Sequence, residues 1–269
     1  MSKTELSDSQ SVLIVGDLHT KVGVLPLIDE FCEKYSPSRV LLVGDYLDDF
    51  YVSEDDNVRA FEAVVEWAKN RGDVTLLYGN HELAYYLEDE YDIFDCDELA
   101  ELWPEMPNDV NSLLHANASV FKVADSQGDW IFTHAGISQS WTDAIGIKKG
   151  QTAQSLATEL NGMFMSAEGR EELQSVLVSA QGHSISGPFA ISSSELLLHP
   201  YIGINQAVGH TPVRTCECTV ADDDDKIAFC DTLGLDMFGN NLGDKSMLLL
   251  EGDVLYKIVV DRKEELYHG

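Results

Sequence analysis

Basic residues are scarce in this chain. Seventeen Lys and Arg stand against 47 Asp and Glu, a formal net charge of −30 over 269 residues. No basic run exceeds two residues, as in Lys148-Lys149. Nucleic-acid backbones and anionic membranes are held by clustered Lys and Arg, so neither long nucleic acid nor a membrane is an expected partner. Long apolar runs are missing too, and nothing approaches the ~20 residues that span a bilayer. Met1 to Gln10 is polar, without an apolar signal region. The expected location is the cytoplasm. Cysteine is sparse, and Cys32, Cys96, Cys216, Cys218 and Cys230 form an odd set without disulfide-framework spacing. Cys216 and Cys218 alternate on a predicted strand and read as a reduced, structural pair, because a thiolate metal site needs more ligands nearby. No GxxxxGK[ST] phosphate loop and no GxGxxG is present. Gly182 to Gly187 lacks the spacing of a GxSxG elbow. No internal repeat or linker divides the chain, so a single domain over 1–269 is expected.

What is present reads as α/β. Hydrophobic content of 44% and charged content of 24% are ordinary for a globular protein. Residues 12–16, 40–43 and 74–78 read as buried strands. Between them, 22–34 carries Val24, Leu27, Ile28 and Phe31 at helical spacing. A second helix shows Val58, Phe61, Val64, Val65 and Ala68, with Asn57 as its expected cap and Gly72-Asp73 as its stop. This β-α-β-α-β order implies parallel strands. Residues 83–115 look helical and irregular, either a cap over a site or a surface excursion. Residues 119–123 and 130–133 read as a hairpin around Ser126 to Asp129. Residues 151–180 look helical, and 182–194 look like a loop. Strands are expected at 206–208, 213–220, 226–230, 247–250 and 254–260, with a turn at Gly252-Asp253. Asp222 to Asp225 reads as a solvated turn.

The histidines are placed unusually. Of eight, four (His19, His81, His134 and His210) stand in turns directly after predicted strands. Asp17, Asp45 and Asn80 stand in the same turns. A carboxylate at the carboxyl end of a buried strand points into the crevice where open α/β sheets bind ligands, and it is costly to bury without a cation. Imidazole, carboxylate and amide oxygen together suit Mn²⁺, Fe²⁺ or Zn²⁺. Six ligands exceed what one tetrahedral zinc needs, whereas two ions ~3.5–4 Å apart and sharing Asp45 use them all. His115, His183 and His268 lack this context and read as structural.

Five blocks in order resemble the calcineurin-like metallophosphoesterases: Gly16-Asp17-Leu18-His19, Gly44-Asp45-Tyr46-Leu47-Asp48, Gly79-Asn80-His81-Glu82, His134-Ala135-Gly136 and Gly209-His210-Thr211-Pro212. Cys230-Asp231-Thr232 resembles a sixth block. The nearest branch is that of the phosphoprotein phosphatases and diadenosine tetraphosphate hydrolases. The resemblance implies a sandwich of two mixed β-sheets flanked by helices, with metals at the strand ends. It implies two divalent ions, Mn²⁺ first and Fe²⁺ or Zn²⁺ as alternatives. Asp17, His19 and Asp45 would hold one, and Asp45, Asn80, His134 and His210 the other. It implies hydrolysis of a phosphoester by a bridging hydroxide, with His81 as general acid and Asp48 as its partner. The substrate would be a phosphorylated small molecule, nucleotide or phosphoprotein.

Departures from the branch touch the substrate grip. Its usual phosphate-binding arginine falls at Asp49, followed by Phe50. A second falls at His199, in Leu196-Leu197-Leu198-His199-Pro200. Two lost guanidiniums remove contacts worth ~1.5–3 kcal/mol each, about a hundredfold or more in binding together. Arg214 and His199 are the candidate replacements. A phosphodiester, carrying less charge, would need the arginines less. The rival readings are therefore a phosphodiesterase, a dinucleoside polyphosphate hydrolase, or a binding protein that keeps the fold.

Overall fold

The computed structural model describes residues 11–49, 51–86, 106–178, 184–221, 224–234 and 242–268. The first strand, β1 (Ser11–Val15), is buried throughout. Leu13 and Val15 enter one hydrophobic cluster, and Val12 and Ile14 another. A strand buried on both faces has no room for polar alternation, hence its unbroken apolar sequence. The same division runs through β2 (Arg39–Leu42) and β3 (Val74–Leu77): Leu42 and Leu76 face the first cluster, Leu41 and Leu77 the second. Helices Leu25–Tyr35 and Glu54–Arg71 make the crossovers and add Ile28, Phe31, Phe61 and Val64 to the first cluster. β1, β2 and β3 pair in parallel, as expected.

Ser53, not Asn57, caps the second helix, its hydroxyl accepting from Asp56 N. Asn57 is fully buried, and its side chain accepts from Asp49 N and donates to Ser53 O. It therefore ties the turn before the helix to the helix itself. Gly72 ends the helix at φ 73°, as the sequence indicates.

Beyond β3 the chain changes sheet. β4 (Phe121–Lys122) pairs with β3 in parallel, and β5 (Ala124–Gln127) turns at Gly128 to pair with β6 (Trp130–Thr133). The first arm of the hairpin is thus 124–127 rather than 119–123. Phe121 is drawn to the other sheet by aromatic packing, its ring 5.0 Å from Tyr78 and 6.1 Å from Phe61. Helices Ala153–Met163 and Ala167–Gln174 follow, then a small ribbon of β7 (Val176–Val178) and β8 (Ser184–Ser186). The segment 182–194, read as a loop, holds β8 and the start of a helix, Ser193–Leu198, capped by Ser192.

The remaining strands are β9 (Asn205–Val208), β10 (Glu217–Val220), β11 (Lys226–Phe229), β12 (Met247–Glu251), β13 (Val254–Val259) and β14 (Arg262–His268). The first sheet runs β14-β13-β12-β1-β2-β3-β4, and the second β10-β11-β9-β6-β5. Both are mixed, as the α/β sandwich requires. Trp130, Phe132, Ala207 and Ala228 of the second sheet meet Val12, Ile14, Leu41 and Leu248 of the first, and helices flank the pair. β14 was not foreseen, because Arg262 to Leu266 is mostly charged. It forms an edge, where one face is solvated. Asp225 is buried and accepts from Gly203 N at 2.7 Å, so it is more than a solvated turn residue. Within 83–115, helices Asn80–Tyr86 and Met106–Ala116 pack together through Asn111 Nδ2 donating to Tyr85 O, with Val110 and Leu114 buried. The rest of the suggested cap, and Cys96, lie outside the described residues. Among the described residues no helix is long and apolar enough to cross a membrane.

Candidate metal centre

Parallel strands put their carboxyl ends on one edge of the sandwich. β1 leads into Gly16-Asp17, β2 into Gly44-Asp45, β3 into Gly79-Asn80, β6 into His134 and β9 into Gly209-His210. Two of these glycines are demanded by contact. A Cβ on Gly79 would overlap Asp45 Oδ1, and one on Gly209 would overlap Asp17 Oδ1. The carboxylates lie flat against backbone that no other residue could provide. His19, Asp45, Asp48 and His210 all adopt left-handed backbone, with φ of 38°, 51°, 63° and 60°. Such conformations cost of order 1–3 kcal/mol each, and they aim the side chains inward.

The donor atoms converge. His134 Nε2 lies 2.8 Å from Asn80 Oδ1, 3.2 Å from His210 Nδ1 and 3.3 Å from Asp45 Oδ2. His210 Nδ1 lies 3.0 Å from Asn80 Oδ1. On the other side of Asp45, His19 Nε2 is 4.0 Å from Oδ2. His134 Nδ1 donates to Val43 O at 2.9 Å, and His19 Nδ1 to Leu47 O at 2.8 Å. Each backbone bond fixes the tautomer, so each ring turns its Nε2 lone pair to the cluster, the usual arrangement of a metal-ligating histidine. Asp17 Oδ2 accepts from His210 N, while its Oδ1 is buried without a partner. A buried orphan carboxylate oxygen beside imidazole and amide donors fits a divalent cation and fits little else.

Burial and charge act in opposite directions across the cluster: burial pulls His134 down, yet Asp45 and the bond to Val43 raise it. Burial, then the nearby charges of Asp231 and Asp45, push Asp17 well up. Burial pulls His19 down; burial and His134 pull His210 down to about 4. Both are thus neutral, as ligands must be. Burial opposes ionisation of Asp45, but His134, His81 and His19 together hold it low. His81 is raised too. Burial pulls it down, yet Asp45 and the hydrogen-bonded Asp48 outweigh this and raise it to about 10. Its Nδ1 donates to Asp48 Oδ2 at 2.6 Å, and Tyr85 Oη donates to the other Asp48 oxygen, also at 2.6 Å. His81 Nε2, 3.8 Å from Asp45 Oδ2, belongs to a ring that stays charged. Proximity alone would group His81 with His19 and Asp45 as ligands. Asp17, which the sequence pairs with His19 and Asp45, falls outside both close groups, although its carboxylate accepts from His210 N.

The sequence model of the family described as calcineurin-like phosphoesterase matches residues 11–238. The chain belongs to that family. It is a hydrolase of phosphoester bonds, and its family uses divalent metal ions. Two solved structures of a cold-active protein tyrosine phosphatase share its fold. The 1.1 Å structure has a TM-score of 0.57 at 16% identity, covering 98% of this chain and 81% of that one. A structure of a point mutant of such a phosphatase has a TM-score of 0.56 at 16%, covering 99% and 85%. A metallophosphoesterase from Sphaerobacter thermophilus gives 0.40 at 13%, covering 97% and 89%. No curated protein matches the sequence.

Three residues of this calcineurin-like phosphoesterase received no role from the sequence. Glu82 is fully buried; Oε2 accepts from Asp45 N and Gly79 N, and Oε1 from Tyr46 N. It locks the second and third motif turns together. Burial and Asp45 raise its pKa to about 7. Its place beside His81 in the third block was the available signal. Lys21 donates to His19 O at 3.4 Å, and burial lowers its pKa against the opposing charges of Asp49, Asp231 and Asp17. Asp231 is the third, buried and close enough for its charge to act on Asp17. The proposed grips fare differently. Arg214 and His199 are both exposed, and among the described contacts neither side chain meets the cluster. Asp49 turns into the protein, accepting from Tyr51 N and Thr20 Oγ1.

Proposed function

We propose that the chain is a phosphatase with two divalent ions, one facing Asp17, His19 and Asp45 and the other facing Asp45, Asn80, His134 and His210, with His81 as general acid. When bound, such ions supply Lewis-acid charge and a water of lowered pKa. Water attacks phosphorus, the bond from phosphorus to the leaving oxygen breaks, and His81 Nε2 gives that oxygen its proton. Asp48, itself held by Tyr85, keeps the imidazole oriented and charged before the transfer. Lys21 offers an ammonium near the site acids for the remaining phosphoryl charge.

The observation that carries this reading is the His81–Asp48–Tyr85 chain, a proton donor with an orienting acid at the edge of the ligand cluster. A binding protein has no use for it. Asp49, where a guanidinium would stand in the resembling branch, favours a second reading in which the substrate is a diester. One panel tests both: aryl phosphate monoester and diester with the same leaving group, in Mn²⁺, for wild type and Asn80→Ala. Monoester hydrolysis abolished by the substitution supports the phosphatase. A preference for the diester supports the second reading. No hydrolysis of either, with metal bound, would leave the binding protein.

A further inference from the structure

Five of the strands that run parallel within the two sheets each deliver a cluster residue at their carboxyl end. A sixth strand, β11, is parallel to β9 and ends on the same edge. It leads into Cys230-Asp231-Thr232. Gly16 lets this turn come close, since a Cβ there would overlap Cys230 O and stand 2.8 Å from Asp231 Cα. The approach sets Asp231 beside Asp17 across the gap between sheets. Both carboxylates are almost wholly buried, at 2% and 1% exposure. Each has its Oδ1 without any hydrogen-bond partner.

Two buried carboxylates side by side repel one another, and their free oxygens have lost water in exchange for nothing. The repulsion is relieved by a proton on one carboxyl or by a cation before both oxygens, and only the cation leaves both ionised. The neighbouring Lys21 ammonium does not meet this need, since its hydrogen bond goes to His19 O and neither orphan oxygen receives one. Thr232 does not either, because its hydroxyl donates to Ser246 O at 2.7 Å.

We propose that Asp231 is a further acceptor for the ion facing Asp17, His19 and Asp45, so that this ion is held from both sheets. The inference rests on the two-ion reading above and adds a carboxylate to one half of it. Asp231 is a positioning residue for that ion, and its partner is a divalent cation.

The test is metal titration of purified, chelator-stripped protein with Mn²⁺, by calorimetry, beside thermal unfolding in chelator. Wild type, Asp231→Asn and Asp231→Ala are compared. The expected result is two equivalents in wild type and, in both variants, one of the two binding steps weakened about 10–100-fold. In chelator the same variants unfold at a higher temperature than wild type, because the uncompensated repulsion with Asp17 is gone. Loaded with metal, they unfold at a lower one. This crossing is not what a merely structural residue gives. Two unweakened steps in Asp231→Asn, with lower stability in chelator as well, would overturn the inference and leave the two-ion reading standing. A wild type that binds no Mn²⁺ would overturn both.

Discussion

At the residue scale, the site depends on which groups keep their protons. In metal-free protein His81 is expected to titrate near pH 10, and Asp48→Asn to lower that value; a histidine-selective NMR titration reads both. The sign is fixed by the direction of the shift. A histidine whose folded pKa lies above its unfolded value near 6.5 contributes stability that is complete below ~6.5 and is lost as pH rises through about 10. His81→Asn should cut kcat by about 10²–10⁴ for esters of poor leaving groups and far less for an aryl phosphate, whose leaving oxygen needs no proton. Equal losses on both substrates would remove the general-acid role. The strand-end residues that converge at the site were legible in the sequence because each stands beside a turn residue after an apolar run. Glu82, Lys21 and Asp231 were not assigned roles there. Their importance lies in contacts 36 or 37 residues away for Glu82, and across the gap between sheets for Asp231.

At the scale of elements, Glu82 works as a clamp. Its carboxylate joins the first turn of one helix to two strand-end turns through three backbone N–H groups. Charged hydrogen bonds contribute ~1.5–3 kcal/mol, and an N–H left buried without a partner costs ~1–3 kcal/mol. Glu82→Ala should therefore destabilise by several kcal/mol in a denaturant titration and reduce metal content alongside. A loss below ~1 kcal/mol would show that the turns hold themselves. At the far edge, deletion of β14 should leave β13 paired only to β12, with its outer edge bare. The Tm should fall and association should become concentration-dependent, as bare edges pair with one another. The first eighty residues were readable because apolar strands and amphipathic helices differ in period. The hairpin was misplaced at 119–123 because Phe121 answers to a distant aromatic cluster instead of its neighbours. β14 escaped because its charges mimic a loop.

At the scale of the whole molecule, the charge of −30 is a standing repulsion. Raising NaCl from about 0.1 M to about 1 M shortens the screening length from ~10 Å to ~3 Å, so Tm measured in chelator should climb with salt. A flat response would mean that the acids are already neutralised locally. The feature with the widest reach is the convergence of site residues from both sheets: β1, β2 and β3 from one, β6 and β9 from the other. Cations at that edge would rivet two sheets already joined by side-chain packing and by hydrogen bonds such as His134 Nδ1 to Val43 O and Arg39 to Asp125. Breathing of the sandwich would then be gated by occupancy. Amide hydrogens of β1 and β9, which belong to different sheets, should slow their exchange together when metal is added. Strand β14, far from the edge, should exchange as before.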